Sequence, residues 1–193
     1  MNKISNYISF IEREIEALHL PKAPENLYDP LRYFLQLEGK KIRPILTLLS
    51  SELFGEKKEN VKHVAIAIEL FHNFTLIHDD IMDRAPLRRG QPTVHHKWDD
   101  NVAILSGDVM LVKAYQHLSE TNSDVLPEVI KLFNKTAIEV CEGQQMDMDF
   151  EKMTNVSQDE YIKMIKLKTS VLLGCALKMG GIICKTSDEN CRL

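Results

Sequence analysis

The sequence is short of the features that mark specialised chains. Glycine and proline number only 8 and 7 among 193 residues, too few for a collagen-like or low-complexity polymer. The four cysteines, Cys141, Cys175, Cys184 and Cys191, form no C-x-x-C pair and have no structural-zinc spacing. They read as reduced thiols of a cytoplasmic protein. Basic charge is not in excess, the net being -4 at pH 7 with histidines neutral. Nucleic-acid binding wants a surplus of Lys and Arg on one face, so no nucleic-acid partner is expected, although a local basic pocket is not excluded. Glu12, Arg13 and Glu14 interrupt the stretch where a signal peptide needs unbroken apolar residues. The richest apolar stretch, Val171 to Cys184, contains Lys178 and several glycines and falls short of the roughly 20 residues of a membrane helix. The expectation is a soluble chain with no integral membrane segment.

What is present is globular: 44% apolar and 27% charged residues. One domain over residues 1–193 is the simplest count, and a chain of this size buries about 70% of the surface exposed when unfolded. The periodicity is helical throughout. Ile4, Ile8, Ile11, Ile15 and Leu18 make one amphipathic helix, closed by Pro21 and Pro24, and Leu27 to Leu35 suggest a second. A third starts after Gly39, with Lys40, Lys41 and Arg43 at its start and Pro44 in its first turn, where proline is tolerated. Val61 to Met82 is apolar on more than one side and reads as a central helix. Residues 84–97 read as a loop, followed by helices near 99–120, 124–151 and 157–180. Ser123-Asp124 and Ser157 look like N-caps, the latter with a Ser-x-x-Glu capping box. No strand is expected. Gly180-Gly181 reads as a helix stop, and Ser187-Asp188-Glu189 as the N-cap of a further helix with about one turn of chain left. A chain truncated at its C-terminus is therefore expected, a frayed tail being the alternative.

The chemistry is concentrated in His72 to Gly90. Asp79, Asp80 and Asp83 lie in five residues at the C-terminal end of an otherwise apolar helix. Asp79 and Asp83 are i and i+4, about 6 Å apart along the axis. Their charges repel one another, and the last helix carbonyls repel both. A cation filling the cluster removes that cost. Oxygen-only donors suit Mg²⁺, which takes one or two carboxylates and completes its shell with water and substrate phosphate. Arg88 and Arg89 follow at once, and a guanidinium fork matches phosphate oxygens. His72 lies nearly two turns before Asp79 on the same side. Lys40 and Arg43 add donors at a helix start where backbone N–H groups attract anions. Taken singly, each of these is ordinary: a solvated acidic pair, a charged loop, a core histidine. Their joint order is what points to a diphosphate site.

These residues resemble the trans-isoprenyl diphosphate synthases, or polyprenyl synthetases. Gly39-Lys40-Lys41-Ile42-Arg43-Pro44 is similar to the family's G-K-x-x-R-P element, with Lys41 in place of the commoner arginine. Asp79-Asp80-Ile81-Met82-Asp83 is similar to its first D-D-x-x-D motif, and Arg88 to Thr93 to R-R-G-x-P-T. Ser106-Gly107-Asp108 contains the later G-D, Gly143 to Asp147 is similar to G-Q-x-x-D, and Lys168-Thr169 to K-T. The resemblance implies an all-α helical bundle around a central cavity and a homodimer. It implies a Mg²⁺-assisted condensation of an allylic diphosphate with isopentenyl diphosphate in isoprenoid biosynthesis. Asp79 and Asp83 would hold the metal, with Asp80 orienting or adding an outer contact. Arg88, Lys168 and Thr169 would bind the allylic diphosphate, and Lys40, Arg43, His72 and Arg89 isopentenyl diphosphate. Gln144 and Asp147, i and i+3 on one helix face, would support the substrate-binding groups from behind or touch the metal's waters, an ordinary polar helix face being the alternative, and Asp108 would be structural. An aromatic at Phe74, five before Asp79, resembles short- to medium-chain synthases, although ideal helix angles put it about 140° away, on the flank.

The family's second aspartate-rich motif is absent from these 193 residues, so the chain alone is expected to condense poorly or not at all. Two other readings compete. A non-catalytic partner subunit of a heteromeric synthase would be free to lose Asp79 or Arg88, which are kept. A class I terpene cyclase shares D-D-x-x-D but has no need of Lys40, Arg43 and His72 for a second diphosphate.

Overall fold

The computed structural model describes residues 3–186. The further N-cap at Ser187 therefore lies outside the described residues, as does Cys191. The described chain is all-α: α1 Lys3–Glu16, α2 Glu25–Leu35, α3 Ile42–Leu53, α4 Lys58–Met82, α5 Val94–Lys97, α6 Asp100–Ser119, α7 Leu126–Phe150, α8 Gln158–Ile165 and α9 Val171–Ile183. A π-helical turn, Lys166–Ser170, joins α8 to α9. No described helix is long and apolar enough to cross a membrane.

The chain packs as two compact units: residues 1–45 with 62–120, and residues 46–61 with 121–193. In the first, α2 lies against α6 and α5 against α6. Its buried residues include Phe10, Ile11, Leu31, Phe34, Met110 and Leu118, each worth about 1.5–3 kcal/mol as an apolar side chain removed from water. From Val64 to Phe71 every residue of α4 is at most 2% exposed, as expected of a helix apolar on several sides. Within that run stands a charge, Glu69. In the second unit α7 packs along α8, the π-turn and α9, and Val129, Phe133, Leu172, Ala176 and Met179 are buried.

Several local expectations are corrected. The stretch 84–97 is not all loop. Leu87–Arg88 and Gln91–Pro92 pair as a short antiparallel hairpin, Leu87 opposite Pro92 and Arg88 opposite Gln91, and α5 follows it. Arg89 (φ 53°) and Gly90 (φ 76°) form its turn, the two-residue geometry that needs positive φ at both positions. Four residues are too few for a period-two signal. The Ser157–Glu160 capping box is present, but Ser123-Asp124 does not cap α7. The N-cap is Val125, without a side-chain bond, while Asp124 pairs with Lys185 at 2.8 Å. Helix 157–180 is interrupted by the π-turn. Gly180 and Gly181 do not stop α9, which runs to Ile183. Gly180 is small for another reason: a Cβ there would lie 2.6 Å from the Thr47 carbonyl oxygen and 2.8 Å from Ser50 Cβ. Ser50 Oγ donates to the Leu177 carbonyl at 2.6 Å across the same contact.

Gly180→Ala therefore overpacks the second unit. We expect a loss of about 1–3 kcal/mol, read as a lower urea unfolding midpoint. An unchanged midpoint would show that the α3–α9 contact relaxes freely.

Candidate diphosphate and metal site

α4 ends in a Schellman-type turn made without glycine. Ala85 N–H donates to the Asp80 carbonyl at 2.9 Å and Arg84 N–H to that of Ile81 at 3.2 Å, with Arg84 in the left-handed region (φ 51°). The turn sends the chain straight into the hairpin and brings Arg88 back onto the helix end. Arg88 Nε donates to both Asp80 oxygens at 2.9 and 2.8 Å, and Nη2 lies 2.8 Å from Asp80 Oδ1 and 3.6 Å from Asp79 Oδ2. The Asp80 side chain is 2% exposed. Burial pushes its carboxyl up and Arg88 pulls it back. Asp80 is thus paired with Arg88 at the helix end.

The rest of the R-R-G-x-P-T element fixes the hairpin. Thr93, fully buried, donates from Oγ1 to the Ala85 carbonyl at 2.7 Å. Tyr33 Oη donates to the Pro92 carbonyl at 2.7 Å, and Arg89 Nη1 to that of Leu37 at 3.3 Å. Thr93 belongs to the R-R-G-x-P-T resemblance, whereas Tyr33 leaves no pattern in the sequence because its acceptor is a main-chain carbonyl.

Asp79 is half-buried and Asp83 exposed at the end of α4. No group of three or more His, Cys, Asp and Glu among the described residues forms a preassembled metal cluster. Two carboxylates nonetheless fit Mg²⁺, which keeps several waters and shares its shell with substrate phosphate.

A cavity of about 730 Å³ in the first unit is lined by Lys40, Lys41, Arg43, Glu69, His72 and Arg89, among others. Arg43 Nη1 lies 2.9 Å from His72 Nε2. Arginine can only donate, so Nε2 accepts and the ring proton sits on Nδ1. Burial, then Arg43, Arg89, Arg88 and Lys41, hold His72 down at about 3, so it is a neutral imidazole. Lys40 is exposed. Lys41, which the sequence reading gave no role, is buried with its Nζ 3.0 Å from Glu69 Oε1. One signal could have found the pair: an acid inside an apolar helix needs a partner. On the α6 side of α4, a Cβ at Gly107 would collide with the His78 ring, and Asp108 lies 3.7 Å from His78. Phe74 is half-buried, its ring 4.6 Å from that of His78 and 5.8 Å from that of Phe71.

The second unit holds the remaining candidates. Lys168 Nζ lies 2.6 Å from Asp147 Oδ2. Lys168 and Thr169 sit on the π-turn, a helix irregularity frequent at functional sites. Gly143 permits it, since a Cβ there would run into the Lys168 backbone nitrogen and lie 2.7 Å from the Leu167 carbonyl carbon. Gln144 Nε2 is buried without a hydrogen-bond partner, a donor whose desolvation costs about 1–3 kcal/mol unless an acceptor arrives.

The fold and these residues define an all-α protein with an acidic helix end backed by arginine, and a cleft in the same unit that carries Lys40, Arg43 and Arg89 as well as Glu12, Glu38 and Glu69. The sequence model of the polyprenyl synthetase family matches residues 24–193, and the chain belongs to that family. It is 43% identical over 192 residues to the geranylgeranyl diphosphate synthase of Methanosarcina mazei, covering 98% of this chain and 59% of that one. Among solved structures it is similar to a geranylgeranyl pyrophosphate synthase at 50% identity and TM-score 0.94, covering 98% of this chain and 58% of that one. It is also similar to the geranylgeranyl pyrophosphate synthetase of Pyrococcus horikoshii at 38% identity and TM-score 0.92, over 98% and 58%. The chain spans less than two thirds of the length of these relatives.

The state of His72 sets a pH dependence. Its folded value, about 3, lies below the ordinary 6.5, so between these values the unfolded chain binds the extra proton and stability falls as pH falls. From pH 7 to 5 the loss is about 2 kcal/mol. His117, held near 4 by burial and then His63, acts in the same direction but is common to both proteins in the comparison. His72→Asn should therefore lose about 2 kcal/mol less than wild type between pH 7 and 5 in urea unfolding. Equal losses would contradict the depressed histidine.

Proposed function

We propose that this chain serves the head-to-tail condensation of an allylic diphosphate with isopentenyl diphosphate. The observation that carries this reading is the Asp79/Asp83 pair at the end of α4 with Arg88 locked beside it by Asp80. The cleft in the same unit, lined by Lys40, Arg43 and Arg89 as well as by Glu12, Glu38 and Glu69, supports a place for a second diphosphate, which a cyclase acting on the allylic substrate alone does not need.

Asp79 and Asp83 would hold Mg²⁺, whose contribution is to neutralise the departing diphosphate. In the reaction the allylic C–O bond breaks with its electron pair leaving on diphosphate. The double bond of isopentenyl diphosphate then attacks the allylic carbocation, and a proton is lost from the adduct. The protein's share is to hold two anions in register and keep water from the cation. Arg88 presents its guanidinium in a fixed plane, and Nη1 takes no part in the grip on Asp80. Lys168 and Thr169 are assigned to the allylic diphosphate by family resemblance, and the unpartnered Gln144 amide is a donor suited to the same ligand or its waters. Lys40, Arg43, Arg89 and the Nδ1–H of neutral His72 would bind isopentenyl diphosphate. A homodimer in the cytoplasm belongs to the same reading. The exposed Ile104, Leu105 and Val112 of α6 offer apolar surface for it.

Asp79→Ala should abolish Mg²⁺-dependent binding of an allylic diphosphate. Loss of a partner behind a ligand costs about 10–100-fold, so loss of the ligand itself should cost roughly 100-fold or more. Calorimetric titration with and without Mg²⁺ measures this. Undiminished Mg²⁺-dependent binding by the variant would overturn the proposed metal site.

A further inference from the structure

Residues 39–43 carry Lys40 and Arg43, and contacts from α4 and the hairpin hold the segment in its conformation. Lys41 lies in the left-handed region (φ 48°), which a side-chain-bearing residue seldom adopts without support from elsewhere. Three contacts hold it there. The Arg89 guanidinium lies against Gly39, where a Cβ would come within 2.6 Å of Nη1. His72 meets Arg43 at 2.9 Å. Glu69 meets Lys41 at 3.0 Å, with side chains 3% and 5% exposed.

Glu69 and His72 are i and i+3 on α4, on one face, so a single helix grips alternate residues of the segment. The Lys41–Glu69 pair is the deepest of the three contacts. Its burial makes it unsuited to adding stability, since buried ion pairs often do no better than apolar replacements. It is well suited to fixing geometry. With Lys41 turned inward onto Glu69, neighbouring Lys40 is left exposed at the rim of the cleft. The Glu69 charge also favours the protonated state of Arg43, against the burial that lowers it.

We propose that Glu69 is a positioning residue: it orients Lys40 and Arg43 for the diphosphate of isopentenyl diphosphate by anchoring Lys41, without touching that ligand. This rests on the diphosphate reading of the cleft. The test is calorimetric titration of the 193-residue chain with isopentenyl diphosphate, using wild type, Lys40→Ala, Glu69→Gln and the double variant Lys41→Gln with Glu69→Gln. Folding is checked by circular dichroism. Loss of one charge-assisted contact corresponds to roughly tenfold or more. Glu69→Gln should raise Kd about tenfold. The double variant, which leaves no buried charge unpaired between these two positions, should recover part of that. A merely structural role would give no such recovery. If Glu69→Gln does not fold, Glu69→Asp is read instead, with a Kd raised about threefold expected.

If Lys40→Ala weakens binding but the Glu69 variant binds like wild type, or if the double variant binds no better than Glu69→Gln, the positioning role is overturned. If wild type does not bind isopentenyl diphosphate, or Lys40→Ala leaves its affinity unchanged, the diphosphate reading fails and this inference falls with it.

Discussion

Three carboxylates at the C-terminal end of α4 stand where a helix least favours negative charge, and the surrounding structure is arranged around offsetting them. The buried one, Asp80, takes a bidentate grip from Arg88. That contact does two things at once. It satisfies a carboxylate that burial would otherwise drive toward protonation, and it anchors the hairpin against the helix end. Asp79 is half-buried and Asp83 exposed, at the same helix end.

α4 carries the other half of the first unit's chemistry along its length. Glu69, His72 and the aspartates are spaced so that one rigid helix addresses the 39–43 segment and the hairpin together. A rigid element sets such distances better than a loop does. The loops that meet it are each pinned through main-chain acceptors, by Thr93, Tyr33 and Arg89. The second unit uses a different device. A π-turn lifts Lys168 and Thr169 out of regular helix, and Gly143 is bare so that the turn can come close.

Helix content and the order of the helices were legible because apolar periodicity is a property of many residues at once. So was the capping box, where Ser157 and Glu160 need only each other. The candidate residues of α4 and its hairpin were legible through chemistry that is locally costly, such as clustered aspartates. Several failures share a cause: the deciding partner was remote in sequence. Gly180 looked like a stop, but its size answers Thr47. Asp124 looked like a cap, but Lys185 takes it. Lys41, a departure from the commoner arginine, carried no sign in the sequence of its pairing with Glu69. The hairpin turn was missed because its first positive-φ residue is Arg89 rather than the usual asparagine or glycine.

The central claim is that the end of α4 holds a cation that in turn holds diphosphate. A crystal structure with Mg²⁺ and an unreactive allylic diphosphate analogue tests it most directly. The account predicts Mg²⁺ about 2.1 Å from oxygens of both Asp79 and Asp83, with diphosphate oxygens in its shell and the guanidinium of Arg88 on the same diphosphate. Metal and analogue bound elsewhere, with Asp79 and Asp83 in contact only with solvent, would contradict it.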